Sequence, residues 1–192
     1  MRVAVSGTHG VGKSTLIAAF LGRHPGYAHE PEAFEVLGDD VELTESGAPS
    51  PYGLRMLLEY TLSALQARAT EPDFVSERCP IDYLAYAAAS GSAWQPGERQ
   101  DFLATHSPSV RSSLRGLDLV AYLPFSARAP ARRRGEDGRL RRRVDLWLRR
   151  ILLDDALELF ADGRPPRVAE LPAALDAQLR SLDRLVVEPA RR

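Results

Sequence analysis

The chain has 192 residues, 44% of them hydrophobic and 27% charged, with a net charge of -1 at pH 7, proportions that fit one folded domain and exclude wholesale disorder. No apolar run approaches the roughly 18 residues needed to span a bilayer, and the opening Met-Arg-Val-Ala-Val lacks a signal-peptide layout. A single cysteine, Cys79, excludes an internal disulfide and a multi-cysteine zinc site, so the expected setting is soluble, reducing and cytoplasmic, with no membrane partner.

Charge is unevenly spread. Of the 25 basic residues, 24 are arginine and one is lysine, Lys13. From Arg128 to Arg150 ten arginines face three acids (Glu136, Asp137 and Asp145), a local charge of +7 that leaves -8 for the remainder. A basic block in an otherwise acidic chain calls for an anion, either a small phosphate ligand or a nucleic acid.

Arg2 to Ser6 reads as a short buried strand. Gly7-Thr8-His9-Gly10-Val11-Gly12-Lys13-Ser14-Thr15 follows, then an apolar helix through Leu21. The spacing Gly-x4-Gly-Lys-Ser between a strand and a helix is the P-loop pattern in its expected context. Its glycines let the backbone wrap phosphate oxygens with N–H groups turned inward, and the helix N-terminus favours anions. Thr8, His9, Gly10, Val11, Gly12, Lys13, Ser14 and Thr15 are therefore the nucleotide-binding residues. Lys13 places its charge on the β- and γ-phosphates and Ser14 offers a hydroxyl to Mg²⁺. His9 is expected to contribute its backbone alone.

Further on, Tyr27 to Glu32 is brief and extended, and Pro31 keeps Glu30 out of the helical region. A carboxylate at that strand end can accept a proton from an attacking hydroxyl. Glu30 is the first candidate and Glu32 the fallback; a solvated loop carboxylate is the plainer alternative. Phe34 to Pro51 is acidic and rich in turn formers and reads as a loop. Leu54, Leu57, Leu58, Thr61, Leu62 and Leu65 then mark a helix over about Tyr52 to Ala69. Its Arg55, Glu59 and Tyr60 either line an acceptor pocket or are solvated.

Asp73 to Arg78 reads as a strand ending in Glu77-Arg78, and Pro80 opens a helix running to Ala89. Glu77 can hold Mg²⁺ or its water, and Arg78 the acceptor or the transferring phosphoryl; a surface ion pair is the alternative. Ser90 to Gly97 is a break carrying Trp94, which either anchors in the core or stacks on a base. Gly97 to Leu114 is predicted helical and Leu117 to Leu123 a strand. Asp118 sits at the wrong end of that strand for a metal ligand, because ligands gather at strand carboxyl ends.

The arginine block divides into a loop, Arg128 to Gly138, and a helix, Arg139 to Phe160, which together form a lid over about 126–160. Arginine offers planar, bidentate donors to the charge that spreads over a transferring phosphoryl group, and a closed lid excludes water. Arg132, Arg134, Arg139 and Arg142 are the chosen candidates, Arg132 on the nucleotide and Arg134 and Arg139 in catalysis. Half of the block would serve as well as a solvated helix face. Arg167 to Leu171 is a fifth strand and Pro172 to Val186 a closing helix. The alternation predicts an α/β P-loop NTPase fold: one domain over residues 1–192, a doubly wound parallel sheet of about five strands, helices on both faces and an Arg-rich helical lid.

The fold alone does not choose among P-loop chemistries. The Asn-Lys-x-Asp motif that reads guanine requires a second lysine, which this chain lacks. The P-loop, Glu30-Pro31, Glu77-Arg78 with Asp82 and Tyr86 following, and the Arg-rich segment together resemble the nucleoside and nucleotide kinase branch: deoxynucleoside kinases, thymidylate kinases, and the bacterial ATPase/kinase group that includes the nicotinamide-riboside kinase domain. The resemblance implies that Glu30 is the base on a sugar hydroxyl and that Glu77 and Arg78 stand for the Glu-Arg pair of deoxynucleoside kinases. It also implies that Tyr86 matches the tyrosine eight residues past the arginine in thymidylate kinases. Cys79 replaces the usual Tyr or Ser after that arginine, and Val36 to Pro51 matches nothing in the group.

The expected activity is transfer of the γ-phosphoryl of Mg·ATP to a nucleoside- or nucleotide-like acceptor, with ATP and Mg²⁺ as cofactors. Arg55, Glu59, Glu30, Arg78 and Tyr86 are expected on the acceptor side. The alternative is a regulatory ATPase whose arginine segment docks a partner protein or nucleic acid. A homodimer stays open, and Cys79 beside Arg78 is expected to make the site sensitive to thiol reagents.

Overall fold

The computed structural model describes residues 1–44, 48–90, 94–125, 138–161 and 163–187. Five strands form one sheet: β1 (Arg2–Ser6), β2 (Ala28–Glu30), β3 (Phe74–Glu77), β4 (Leu119–Tyr122) and β5 (Arg167–Glu170). Their spatial order is β2-β3-β1-β4-β5 and every pairing is parallel. Helices α1 (Lys13–Arg23), α2 (Ala33–Leu37), α3 (Pro51–Ala67), α4 (Pro80–Ala89), α5 (Glu98–Leu114), α6 (Gly138–Leu152) and α7 (Leu175–Val187) complete the α/β architecture.

Strand alternation sorts the core into two layers. Val3, Val5, Val75, Leu119 and Ala121 pack with α1 and α7 on one face. Ala4, Phe74, Val120 and Tyr122 pack with α3, α4, α5 and α6 on the other. Successive residues of one strand thus feed opposite layers, as the pleat requires, and strands buried on both faces read as nearly continuous apolar runs. β1 lies between β3 and β4, so the chain turns to opposite sides of the sheet beyond its carboxyl end. That is the crevice where ligands of open α/β sheets bind.

Some boundaries differ from the sequence reading for local reasons. The segment Phe34 to Pro51 is not wholly loop: it carries most of α2, a short 3-10 turn at Gly38–Asp40 and a bridge between Leu43 and Pro49. Val41 is buried there, with Phe34 and Leu37 partly buried against the core, and this apolar minority anchors a stretch dominated by turn formers. The helix expected over Arg139 to Phe160 is α6, and it ends at Leu152 rather than Phe160, because Asp155 adopts a positive φ of 50° and takes the Leu159 N–H at 2.6 Å. Leu159 is still buried, delivered by a turn instead of a helix. Asp118 sits at the start of β4 and is paired with Arg2 at 3.1 Å, away from the strand carboxyl ends. No helix among the described residues is long and apolar enough to cross a membrane.

Candidate functional site

The loop between β1 and α1 is shaped by two glycines. Gly7 approaches β4 so closely that a Cβ there would lie 2.8 Å from the Leu123 carbonyl oxygen, and Gly12 caps α1 with φ 101°, a left-handed conformation. Thr8 is fully buried and Lys13 is 4% exposed. The Lys13 ammonium donates to the Thr8 carbonyl at 3.4 Å. Burial and the neighbouring Arg78 charge lower the Lys13 pKa, while Glu32, Glu77 and Asp82 work in the opposite direction. The ammonium thus sits desolvated at a helix N-terminus, where a polyphosphate would replace the hydration it has lost.

Ser14 and Glu77 meet where α1 begins and β3 ends: the Ser14 hydroxyl donates to Glu77 Oε1 at 2.9 Å. Burial raises the Glu77 pKa, against the lowering influence of Lys13 and of the Ser14 hydrogen bond. A carboxylate so buried has too little positive charge around it. The pair fits Mg²⁺, which takes one or two protein oxygens and completes its shell with water and phosphate. Among the described residues there is no group of three or more His, Cys, Asp or Glu side chains that could hold a metal ion.

Helix α4 braces the loop. Its N-cap is Cys79, Pro80 sits in its first turn, and Asp82 closes a capping box by accepting from the Cys79 N–H at 3.0 Å. The other oxygen of Asp82 accepts from the Gly7 N–H at 3.0 Å and from Arg78 Nη1 at 3.3 Å, and Asp82 is fully buried. One turn later the Tyr86 hydroxyl accepts from the His9 N–H at 3.1 Å. Asp82 is the residue that sequence reasoning underused. Its position as third residue of a proline-started helix signals a cap, whereas its reach to Gly7 exists only in the folded sheet.

Arg78 stands at the centre. It has φ 78°, unusual for a residue with a side chain and worth roughly 1–3 kcal/mol of strain. The conformation turns the guanidinium inward. Its Nε donates to Glu32, Nη1 donates to the Gly7 carbonyl at 3.2 Å as well as to Asp82, and its Cζ lies 5.3 Å from the Tyr86 ring centroid. Burial opposes the Arg78 charge, but the carboxylates outweigh it and the pKa stands well above its ordinary value. In return the Glu32 carboxyl, which burial alone would raise, is held down to about 2 by Arg78 and Lys13.

The two candidate base residues go to different places. Glu30 ends β2 and takes Arg68 Nε at 2.6 Å and the Tyr60 hydroxyl at 3.1 Å; Arg68 is further tied to Glu71 at 3.0 Å. Glu32, the fallback, is the one set against Arg78. Arg55 and Glu59 lie on the exposed side of α3, where they line a cavity of about 230 Å³ with Trp94, Phe102, Thr105 and His106 among others. Trp94 packs on Phe102 at 5.1 Å and is partly buried against the core. Ser14 and Thr15 are exposed at the start of α1. Arg139 and Arg142 are exposed in the first turns of α6, while Arg132 and Arg134 lie outside the described residues. The expected thiol sensitivity is corrected: Cys79 is fully buried, and burial with the nearby Asp82 charge raises its pKa, so neither access nor thiolate is available.

A family model described as AAA domain matches residues 2–161. No curated protein matches the sequence significantly. Among solved structures, a deoxyadenosine kinase from M. mycoides with products dCMP and dCDP bound has 17% identity and a TM-score of 0.68, covering 97% of this chain and 99% of its own. NadR protein in complex with NR shows 14% identity and a TM-score of 0.69, over 99% of this chain and 52% of that one. Thymidylate kinase from Candida albicans shows 12% identity and a TM-score of 0.61, over 96% and 90%. All three superpose on nearly the whole of this chain with TM-scores above 0.6, and the family match runs from β1 to beyond α6. The chain belongs to the AAA domain family and carries the P-loop kinase fold.

Proposed function

We infer that the protein is a P-loop phosphotransferase that moves the γ-phosphoryl group of ATP to a small nucleoside- or nucleotide-like acceptor. The observation that carries this reading is the convergence of Lys13, the Ser14–Glu77 pair and Arg78 around one crevice at the strand carboxyl ends. The loop residues Thr8 to Thr15 would cradle the polyphosphate through their N–H groups and Lys13 would carry the charge contact. Ser14 and Glu77 would hold Mg²⁺, whose chemistry there is to neutralise phosphate charge. Arg78, braced by Asp82, would position the acceptor or the transferring group. Exposed Arg139 and Arg142 lie on the lid helix, and with Arg132 and Arg134 they are the arginines we assign to the developing charge on the equatorial oxygens.

Products of nucleoside or nucleotide kinases are bound in one of the structural neighbours, which supports an acceptor of that class here. The full chain incubated with Mg·ATP and a library of nucleosides and nucleotides tests the reading. Acceptor-stimulated ADP release is expected, well above hydrolysis without acceptor, and its absence across the library overturns it. A regulatory ATPase docking a polyanion through α6 is the second reading, favoured by the exposed Arg139, Arg142, Arg143 and Arg150. Binding of that kind would weaken steeply with salt, whereas ATP held in the loop would respond far less.

A further inference from the structure

We propose that Asp145 is a positioning residue for phosphoryl transfer: by holding α6 to the exit of β4, it fixes where Arg139 and Arg142 stand relative to the phosphate loop. The proposal rests on the phosphotransfer reading and adds a residue to which that reading gives no role.

β4 and the phosphate loop leave the sheet as one unit. Tyr122 is in register with Ser6, and the Leu123 N–H donates to the Ser6 carbonyl at 2.8 Å. Gly7 lies directly against the Leu123 carbonyl oxygen. The Tyr122 carbonyl accepts from the Leu171 N–H at 2.8 Å, so the end of β5 joins the same frame. A group tied to Tyr122 and Phe125 is therefore tied to the entry of the phosphate loop.

Asp145 makes that tie from α6. Its Oδ1 accepts from the Tyr122 hydroxyl at 2.6 Å and from the Phe125 N–H at 2.7 Å. Hydrogen bonds to a carboxylate are short and strong, and Tyr122 is fully buried, so its hydroxyl has no water to turn to instead. One turn earlier Arg141 is buried, with its Cζ 4.9 Å from the Phe125 ring centroid. One turn later Arg149 reaches Glu170 at 3.0 Å, but those side chains are 43% and 39% exposed, and such a pair contributes little. Residues 141, 145 and 149 thus share one helix face, and Asp145 is the member that bonds both a side chain and the backbone of the strand exit.

Apolar packing alone would place α6 less closely. Val144, Leu148, Ile151 and Leu152 bury the helix in the layer that contains α4. Hydrophobic burial is non-directional, and packed helices slide past one another in small shear movements. Hydrogen bonds are directional. Two of them meet on one oxygen, one turn beyond Arg142 and nearly two beyond Arg139, and so set the rotation and rise of the half of α6 that carries both arginines. Donors to a transferring phosphoryl group act only in a narrow geometry, and a misplacement of about 1 Å costs roughly 10²-fold in rate.

The test uses the full chain, Mg·ATP and the nucleoside or nucleotide that most stimulates ADP release. In Asp145→Leu, of similar size but without an acceptor, kcat should fall about 30-fold while the KM for ATP changes less than about threefold, because the loop still holds the nucleotide. Asp145→Asn keeps a carbonyl oxygen for both donors and should restore kcat to within about threefold of the natural chain. Tyr122→Phe removes one bond without opening a void and should lower kcat about three- to tenfold, which decides the matter should Asp145→Leu not fold. Leu179→Ala, in the other core layer, should lower the melting temperature and leave kcat in place. Amide hydrogen exchange in Asp145→Leu should quicken about tenfold over the first half of α6 relative to α1, a contrast that Leu179→Ala should not show. The proposal is overturned by a kcat within about threefold of the natural chain in Tyr122→Phe and in folded Asp145→Leu, or by unchanged exchange in α6. It is equally overturned if Asp145→Asn fails as badly as Asp145→Leu, since the effect then belongs to charge and not to position. A working natural chain with indifferent variants sinks this proposal alone. A natural chain with no acceptor-stimulated ADP release sinks the phosphotransfer reading, and this proposal with it.

Discussion

The phosphate loop and the acceptor side of the crevice are built by different means. The loop is backbone: two glycines in special conformations, and α4 gripping it through Asp82 on the Gly7 N–H and Tyr86 on the His9 N–H. The acceptor side is long side chains: Arg68 on Glu30, Arg78 on Glu32, Tyr60 reaching over from α3. Backbone geometry is written in consecutive residues, so it can be read locally. Pairings between side chains on different elements depend on which residue of a short extended segment points where, and a two-residue offset exchanges one partner for another.

The sharpest way to break this comparison is to remove the single ammonium from the backbone-built side. Lys13→Ala should lower kcat/KM by at least roughly 10²–10³, the loss seen when a single preorganised donor to a developing oxyanion is removed. Calorimetry with Mg·ATP should show the loss in binding as well. Tight ATP binding by this variant would mean that the loop does not hold the triphosphate at all.

Asp82→Ala attacks the brace. Asp82 accepts three hydrogen bonds and is fully buried, and removing it leaves Arg78 with an incomplete partner set and the Gly7 N–H without its acceptor. Breaking such a buried pair costs about 3–5 kcal/mol. For a chain of this size that corresponds to a fall in melting temperature of roughly 10 °C, read by calorimetric scanning. Asp183→Asn, which loses only the contacts to Arg23 and His24 on the far side of α1, should cost far less. An equal loss in the two variants would show that Asp82 is no more than another surface carboxylate.

The fold was legible to the extent that it depended on pattern. Strand, glycine loop and helix, then alternating apolar runs, led to a five-stranded parallel sheet. The Ser14–Glu77 meeting follows from β1 and β3 being neighbours: Glu77 ends β3, and Ser14 opens the helix that follows β1. What escaped was tertiary: α2 hidden among acidic turn formers, α6 cut short by Asp155, and the burial of Cys79. Which arginine each of Glu30 and Glu32 would meet escaped for the same reason. Pro31 fixes the backbone between them, but the arginines that claim them, 68 and 78, come from α3's end and β3's end and are distant in sequence.

The Glu32–Arg78 pair should show itself in acid. With the folded carboxyl held near pH 2 against an ordinary value of 4.5, folding is favoured by ionisation of Glu32. That contribution is complete above about pH 5 and is lost as pH falls from about 4.5 to about 2. Urea midpoints measured across that range should fall more steeply for the natural chain than for Glu32→Gln, and the gap between them should narrow towards pH 2. Parallel curves would place the ionised pair elsewhere.

The smallest expected effect separates the two carboxylates most cleanly. Glu30→Gln removes one charge from Arg68, which keeps Glu71 at 3.0 Å and the His29 carbonyl at 3.3 Å. The Arg68 side chain is 24% exposed, so water takes up part of what is lost, and the expected cost is about 1 kcal/mol of stability. Turnover should change less than about threefold, since Glu30 is spent on holding the end of α3 to β2. Activity and denaturation measured on the same preparation decide it. A collapse of kcat in Glu30→Gln with an intact melting temperature would mark Glu30 as the base and make the Arg68 contact a resting arrangement that the acceptor displaces.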